Sequence, residues 1–154
     1  MCDLLTLLDS QLRDLEEQIG KSPDPDSMGL FDRGEFLAGT GFVACQRYLA
    51  STYGPHNVPK EIALAVGPYH AGGESYAAIF NAAANFWKHV DEWDIFTPLG
   101  VRQQRTVDLI ESVTPWSNYT CANLLFELAG QLQFAGLIPK IEDWRKQLDA
   151  AQVR

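Results

Sequence analysis

Basic residues are scarce in this chain of 154 residues, where 12 Lys and Arg stand against 20 Asp and Glu and give a formal net charge of -8. Nucleic acids and anionic membranes are bound through exposed basic patches, so this balance disfavours broad contact with either. No apolar run approaches the roughly 20 residues that a membrane-spanning helix needs. We therefore expect no membrane contact, and nucleic acid binding only where a local basic patch exists.

Cysteine is equally rare, since the chain has only Cys2, Cys45 and Cys121. They are odd in number, far apart and without a Cys-x-x-Cys pair, which favours neither a disulfide framework nor a thiolate zinc site. The N-terminus carries Asp3 where a signal peptide would carry positive charge. These features predict a protein of a reducing compartment, located in the cytoplasm.

Motifs for catalysis or cofactor binding are also missing. The sequence contains no Gly-x-Ser-x-Gly elbow and no His-Glu-x-x-His arrangement. A metal interpretation rests only on the helical spacing of His70 with Glu74 and of His89 with Glu92, in a chain that has three histidines. We therefore expect no cofactor and no bound metal.

The chain does have helical periodicity, most clearly from Glu74 to Trp93, its longest Ala-rich apolar stretch without Gly or Pro. At 100° per residue this stretch predicts a central helix with an apolar arc. That arc contains Ile79, Ala83, Phe86, Val90 and Trp93, with Tyr76, Phe80 and Trp87 beside it. The remaining face carries a polar stripe, made of Asn81, Asn85, Lys88, His89 and Glu92.

The two asparagines of the stripe stand one turn apart and are poor residues for the middle of a helix, so they need an explanation. They would form hydrogen bonds to a neighbouring helix, line a groove with His89 available for acid-base work, or simply face solvent. On the groove hypothesis His89 and Asn85 are the candidate catalytic residues. Asn81, Lys88 and Glu92 are then candidate binding residues, joined by His70, which the preceding turn brings close to the start of the helix.

The rest of the chain predicts an all-α domain, a bundle of about six helices packed around helix 74–93. An N-terminal helix over 1–20 carries a leucine seam that would pack on the domain or pair with a second copy. A loop over 21–34 connects it to the core, which spans 35–154. The single domain thus covers residues 1–154.

Three details of the core follow from local patterns. The helix from Glu35 to Tyr53 has Phe36, Val43, Leu49 and Tyr53 at roughly helical intervals, which predicts an apolar side. Its small residues, Gly39 and Gly41 among them, stand where another helix could approach closely. Thr97 and Pro98 predict the start of the helix after the central one. That helix exposes Arg102 and Arg105, one turn apart.

The segment Ala84-Asn85-Phe86-Trp87-Lys88-His89 resembles the motif of HEPN-type proteins, all-helical domains of bacterial toxin-antitoxin and phage-defence systems. In that motif an arginine, a polar residue, three variable residues and a histidine share one helix. Active members cut RNA without a metal at a dimer cleft. Asn85 and His89 occupy the polar and histidine positions, while Ala84 occupies the position of the arginine.

Two functions remain open. The first is a helical protein–protein interaction module that acts on a protein partner or on a second copy, as a degenerate HEPN-like member of a toxin-antitoxin or defence system would. The second is a metal-independent ribonuclease that uses His89 with Asn85. It would need a guanidinium from elsewhere, and Arg102 or Arg105 of the following helix is a candidate.

Overall fold

Seven α-helices carry the fold in the computed structural model, which describes residues 1–93 and 97–152 apart from the side chains of residues 56 and 152. Their bounds are α1 Cys2–Lys21, α2 Leu30–Tyr53, α3 Lys60–Ala65, α4 Tyr76–His89, α5 Val101–Glu111, α6 Thr120–Ala129 and α7 Ile138–Gln152. Three short 3₁₀ helices follow α2, follow α4 and precede α7. The described residues contain no strand, which confirms the predicted all-α bundle.

The central helix is α4, and it is shorter at both ends than the predicted 74–93. Ser75 caps its N-terminus, because the Ser75 hydroxyl accepts a hydrogen bond from the N–H of Ala78 at 3.0 Å. The α-helix ends at His89, and Val90–Glu92 continue as a 3₁₀ helix. The predicted apolar arc is correct in its middle, where Ile79 and Phe86 are buried. One face of α4 packs on α2, and α5, α3 and α7 contact it from other sides.

Glycines of α2 let neighbouring elements come very close, as their positions predicted. A β-carbon at Gly39 would overlap the indole of Trp87 from α4. A β-carbon at Gly41 would overlap the ring of Phe134, which lies in the 3₁₀ helix before α7. The absence of side chains at these two positions therefore sets the spacing between α2 and its neighbours.

The leucine seam of α1 packs within the chain. Of the two alternatives for this seam, packing on the domain is therefore confirmed. Leu5, Leu8, Leu12 and Leu15 are buried, and the helix contacts α2 and the 3₁₀ helix Phe134–Leu137. The helix continues past Gly20 to Lys21. The connection to α2 is shorter than the predicted loop over 21–34, because α2 already begins at Leu30.

Two other local predictions are wrong. The side chain of Phe36 is on the surface, 62% exposed, and packs edge-on against Trp87 at a centroid distance of 5.6 Å. Helix α5 does not begin at Thr97 and Pro98 but at Val101, with Gly100 as its N-cap. The side chain of Gln103 accepts a hydrogen bond from the Gly100 N–H at 2.6 Å and so closes that first turn.

Two buried carboxylates hold the starts of distant elements. Asp9 of α1 accepts hydrogen bonds from the N–H groups of Phe134 and Ala135 at 2.6 and 2.8 Å. Glu35 of α2 likewise accepts from two N–H groups at the start of α6, those of Cys121 and Ala122, at 2.9 and 2.8 Å. The first N–H groups of a helix have no partner within it, and an anion is favoured there. Each carboxylate thus fixes one element against another.

Glu35 should make the stability of the protein depend on pH. Burial raises its pKa above the usual 4.5, while its two backbone hydrogen bonds act in the opposite direction. The folded chain therefore holds this proton more tightly than the unfolded chain, so the contribution of Glu35 to stability is present below pH 4.5 and is lost as the pH rises through the folded pKa. We expect the free energy of unfolding of wild type, relative to Glu35→Gln, to fall between about pH 4 and about pH 7. Urea titrations at both pH values measure this difference, and a rise would contradict the assignment.

Candidate functional site

An open groove of about 930 Å³ lies between α3, α4 and α5. Helix α4 contributes Asn81, Asn85 and His89 to its lining, and α5 contributes Arg102 and Arg105. The structure thus places the polar stripe of the central helix, apart from Lys88, along a concavity. It also places both arginines of the following helix in the same groove as His89, which the sequence left undecided.

The remaining candidate residues are divided between the groove and its surroundings. Glu92 lines the groove, and its carboxylate lies 3.1 Å from Nδ1 of His89. Lys88 is exposed and lies outside the lining. His70 is also outside it, since its ring packs edge-on against Tyr76 at 6.0 Å, while the neighbouring Tyr69 does line the groove. His70 thus lies close to the start of α4, as predicted, but outside the groove lining, and its role as a binding residue stays a prediction.

The two asparagines are held by Gln46 of α2, a residue that the sequence did not single out. The Gln46 Nε2 donates to Oδ1 of Asn81 at 3.0 Å and to Oδ1 of Asn85 at 2.9 Å. The ammonium of Lys88 donates to Oε1 of the same Gln46 at 2.8 Å. This network joins α2 to α4 and confirms that the asparagines bond to a neighbouring helix, as one of the three explanations predicted. They line the groove as well, so two of those explanations hold together.

Charge in the groove is balanced, unlike that of the whole chain. Its lining carries three basic side chains, Lys60, Arg102 and Arg105, and three acidic ones, Glu61, Glu74 and Glu92. Neither arginine forms an ion pair within the described part of the chain, whereas Glu92 is hydrogen-bonded to His89. Near the groove, desolvation lowers the pKa of Lys88 and the like charge of Lys60 lowers it further. Basic side chains thus make up a larger share of the charged residues in and near the groove than in the whole chain.

His89 is oriented by its neighbour. A neutral imidazole has one donor and one acceptor nitrogen, and the carboxylate of Glu92 can only accept when it is ionised. The contact of 3.1 Å therefore places the proton on Nδ1 and leaves Nε2 as the acceptor. The side chain of His89 is half exposed, so Nε2 can meet a ligand. In this arrangement His89 can accept a proton.

Other reactive groups are far less suited to chemistry. Burial raises the pKa of Cys45 to about 12 and also raises the pKa of Cys121, so both thiols stay protonated. Among residues 1–93 and 97–152, no three His, Cys, Asp or Glu side chains are grouped to hold a metal ion. The polar groups that the groove offers include amides, guanidiniums, an ammonium, an imidazole, carboxylates and hydroxyls.

The positions of the HEPN-like motif fall on both sides of α4. Asn85 and His89 line the groove, but Ala84 is fully buried in the core. An arginine at the position of Ala84 would point into packed side chains. The guanidiniums that share the groove with His89 come instead from α5.

Comparison with known proteins gave no match: no family model, no curated protein and no solved structure resembles the chain. Over the residues that the structure describes, no single helix has both the length and the apolar character to cross a membrane. Two helical segments that meet at a bend, Thr120–Ala129 and Phe134–Ala151, together have the length and the apolar composition of a membrane span. The function is therefore argued from the groove itself.

Proposed function

We propose that the protein is a helical protein–protein interaction module whose groove between α3, α4 and α5 binds a peptide segment of a partner. The observation that carries the proposal is the balanced lining of the groove, three basic and three acidic side chains around a pair of asparagines. A peptide has a neutral backbone and can present side chains of either sign, so it suits such a lining. A nucleic acid would bring a phosphate at every nucleotide against Glu61, Glu74 and Glu92, whereas a peptide can place its acidic side chains away from these three residues. A degenerate HEPN-like member of a toxin-antitoxin or defence system would act in this way.

Selection from a peptide library displayed on phage tests the proposal with the purified protein. Arg105→Glu reverses a charge on the groove wall, and we expect selected peptides to lose about tenfold or more of their affinity for that variant. Arg13→Glu is the matched control, since Arg13 is exposed on α1 and does not line the groove. Peptides that bind wild type and both variants equally would contradict the proposal. Sedimentation of the purified chain decides whether the partner is a second copy.

A second candidate function is metal-independent cleavage of RNA. It is favoured by one observation, that His89 shares the groove with Arg102 and Arg105. An imidazole that accepts a proton and guanidiniums that stabilise developing negative charge are the groups such a reaction needs. Assays of RNA cleavage in the presence of a chelator, with wild type and His89→Ala, separate the two functions. Cleavage that is lost in the variant while peptide binding remains would favour the enzyme, and a wild type that does not cleave would favour the module.

A further inference from the structure

We infer that the asparagine pair of the groove presents only hydrogen-bond donors, and that the groove therefore binds an acidic peptide segment through its carboxylate oxygens. The inference rests on the proposed function and names the chemistry of its ligand. It begins at Lys88, whose ammonium has donors and no acceptor. The atom of Gln46 that lies 2.8 Å from it must accordingly be the oxygen Oε1.

The orientation of Gln46 fixes that of both asparagines. With Oε1 taken by Lys88, Nε2 faces α4 and donates to both Oδ1 atoms, at 3.0 Å for Asn81 and 2.9 Å for Asn85. Each asparagine therefore keeps its amide nitrogen, Nδ2, for another acceptor, and neither Nδ2 has one among the described residues. No buried side-chain nitrogen or oxygen of these residues lacks a partner, so both Nδ2 atoms must reach solvent. Asn81 and Asn85 are half-buried and line the groove, where that solvent lies.

The donors form two rows in the lining of the groove, one on α4 and one on α5. Asn81 and Asn85 are one turn apart on α4, about 6 Å along the helix axis, and each offers two N–H groups. Arg102 and Arg105, also about one turn apart, line the groove from α5 and have no ionic partner in the described chain. A ligand that satisfies both rows must supply acceptors, and ionised acceptors make the stronger hydrogen bonds. Carboxylates on a peptide meet this need, and the basic side chains of the same peptide can face Glu61 and Glu74.

Gln46→Glu tests the inference, because it should reverse the direction of the hydrogen bonds between residue 46 and the two asparagines. A glutamate still accepts from Lys88 but has no donor, so the asparagines must turn their Nδ2 groups toward it and present Oδ1 to the groove. We expect an acetylated glutamate-rich peptide that also carries lysine to lose about tenfold or more of its affinity, the effect of a lost hydrogen bond to a charged group. Fluorescence anisotropy measures binding, and NMR of the side-chain amides of Asn81 and Asn85 reports their contact with the peptide. Gln11→Glu on α1 carries the same change of charge outside the groove and should bind as wild type does.

Asn85→Asp is the second variant, in case Gln46→Glu weakens the fold. No other side chain needs to move in this variant, because one carboxylate oxygen accepts from Gln46 and the other takes the place of the Nδ2 donor. The same loss of affinity is expected. The inference is overturned if the glutamate-rich peptide does not bind wild type, if both variants bind it unchanged, or if a single-stranded oligonucleotide binds the groove in its place. Peptides selected on phage that depend on Arg105 but carry no acidic residues would leave the proposed function standing and remove the inference alone.

Discussion

Gly41→Ala is expected to lower the free energy of unfolding by about 2 to 3 kcal/mol, although alanine favours helix over glycine by about 1 kcal/mol. The new methyl group would overlap the ring of Phe134. That ring cannot move aside cheaply, because it is fully buried and packs edge-on against Phe42 at 5.4 Å. Overpacking therefore exceeds the gain in helix propensity.

Chemical denaturation of Gly41→Ala and Gly20→Ala side by side measures the effect. Gly20 also lies inside a helix, α1, but no atom lies within 4 Å of a β-carbon built there. Its replacement should raise stability by up to about 1 kcal/mol. A Gly41→Ala variant that gains stability as Gly20→Ala does would show that α2 and the Phe134 ring are not in close contact.

Asp9→Ala is expected to have the largest effect, a loss of about 3 to 4 kcal/mol in the free energy of unfolding. The carboxylate of Asp9 accepts from the N–H groups of Phe134 and Ala135, and its removal leaves the buried donor of Phe134 and the part-buried donor of Ala135 without this acceptor. Each unsatisfied buried group costs about 1 to 3 kcal/mol.

The comparison variants for Asp9 isolate the two hydrogen bonds. Asp14→Ala changes an exposed carboxylate on the same helix, and its effect should stay within about 0.5 kcal/mol. Asp9→Asn keeps one acceptor oxygen, so its free energy of unfolding should lie between those of the two alanine variants. Equal stability of Asp9→Ala and Asp14→Ala in urea titrations would rule out the role assigned to Asp9.

The helices that follow a strong period could be predicted from the sequence. The buried side of α1 follows directly from its leucine spacing, and the buried side of α4 from its apolar arc. The polar stripe was also sufficient to indicate that Asn85 and His89 share a surface. Periodicity reports the direction of a side chain around its helix, and this was enough to find one wall of the groove.

The predictions fail where a neighbouring helix determines the position of a side chain. The roughly helical interval of Phe36 from Val43 and Leu49 predicts a buried side chain, but the buried face of α2 is built from Ala38, Phe42, Cys45 and Leu49. Trp87 of α4 fits against Gly39, and Phe36 packs edge-on against Trp87 with its own side chain at the surface. A hydrophobic pattern cannot show this, because it contains no information about the distance to the next helix.

The groove as a whole could not be predicted from local sequence patterns, because it depends on how the helices pack against one another. Its walls come from α3, α4 and α5, and Gln46, which orients the asparagines, comes from α2. A lone glutamine in a helix carries no signal of its own, and it gains meaning only when α2 and α4 are packed. The spacing of Arg102 and Arg105 was visible, but their approach to His89 depends on how α5 is placed against α4.

The bond from Asp9 to Phe134 joins residues that are 125 positions apart. During synthesis the carboxylate of Asp9 stays without these partners until the segment around Phe134 has been made. The region 35–154 by itself lacks the carboxylate of Asp9, which accepts hydrogen bonds from the N–H groups at the start of the 3₁₀ helix Phe134–Leu137. A truncated protein that begins after α1 should thus be prone to aggregation, and the packing of α1 should be completed only after residues 134 and 135 have left the ribosome.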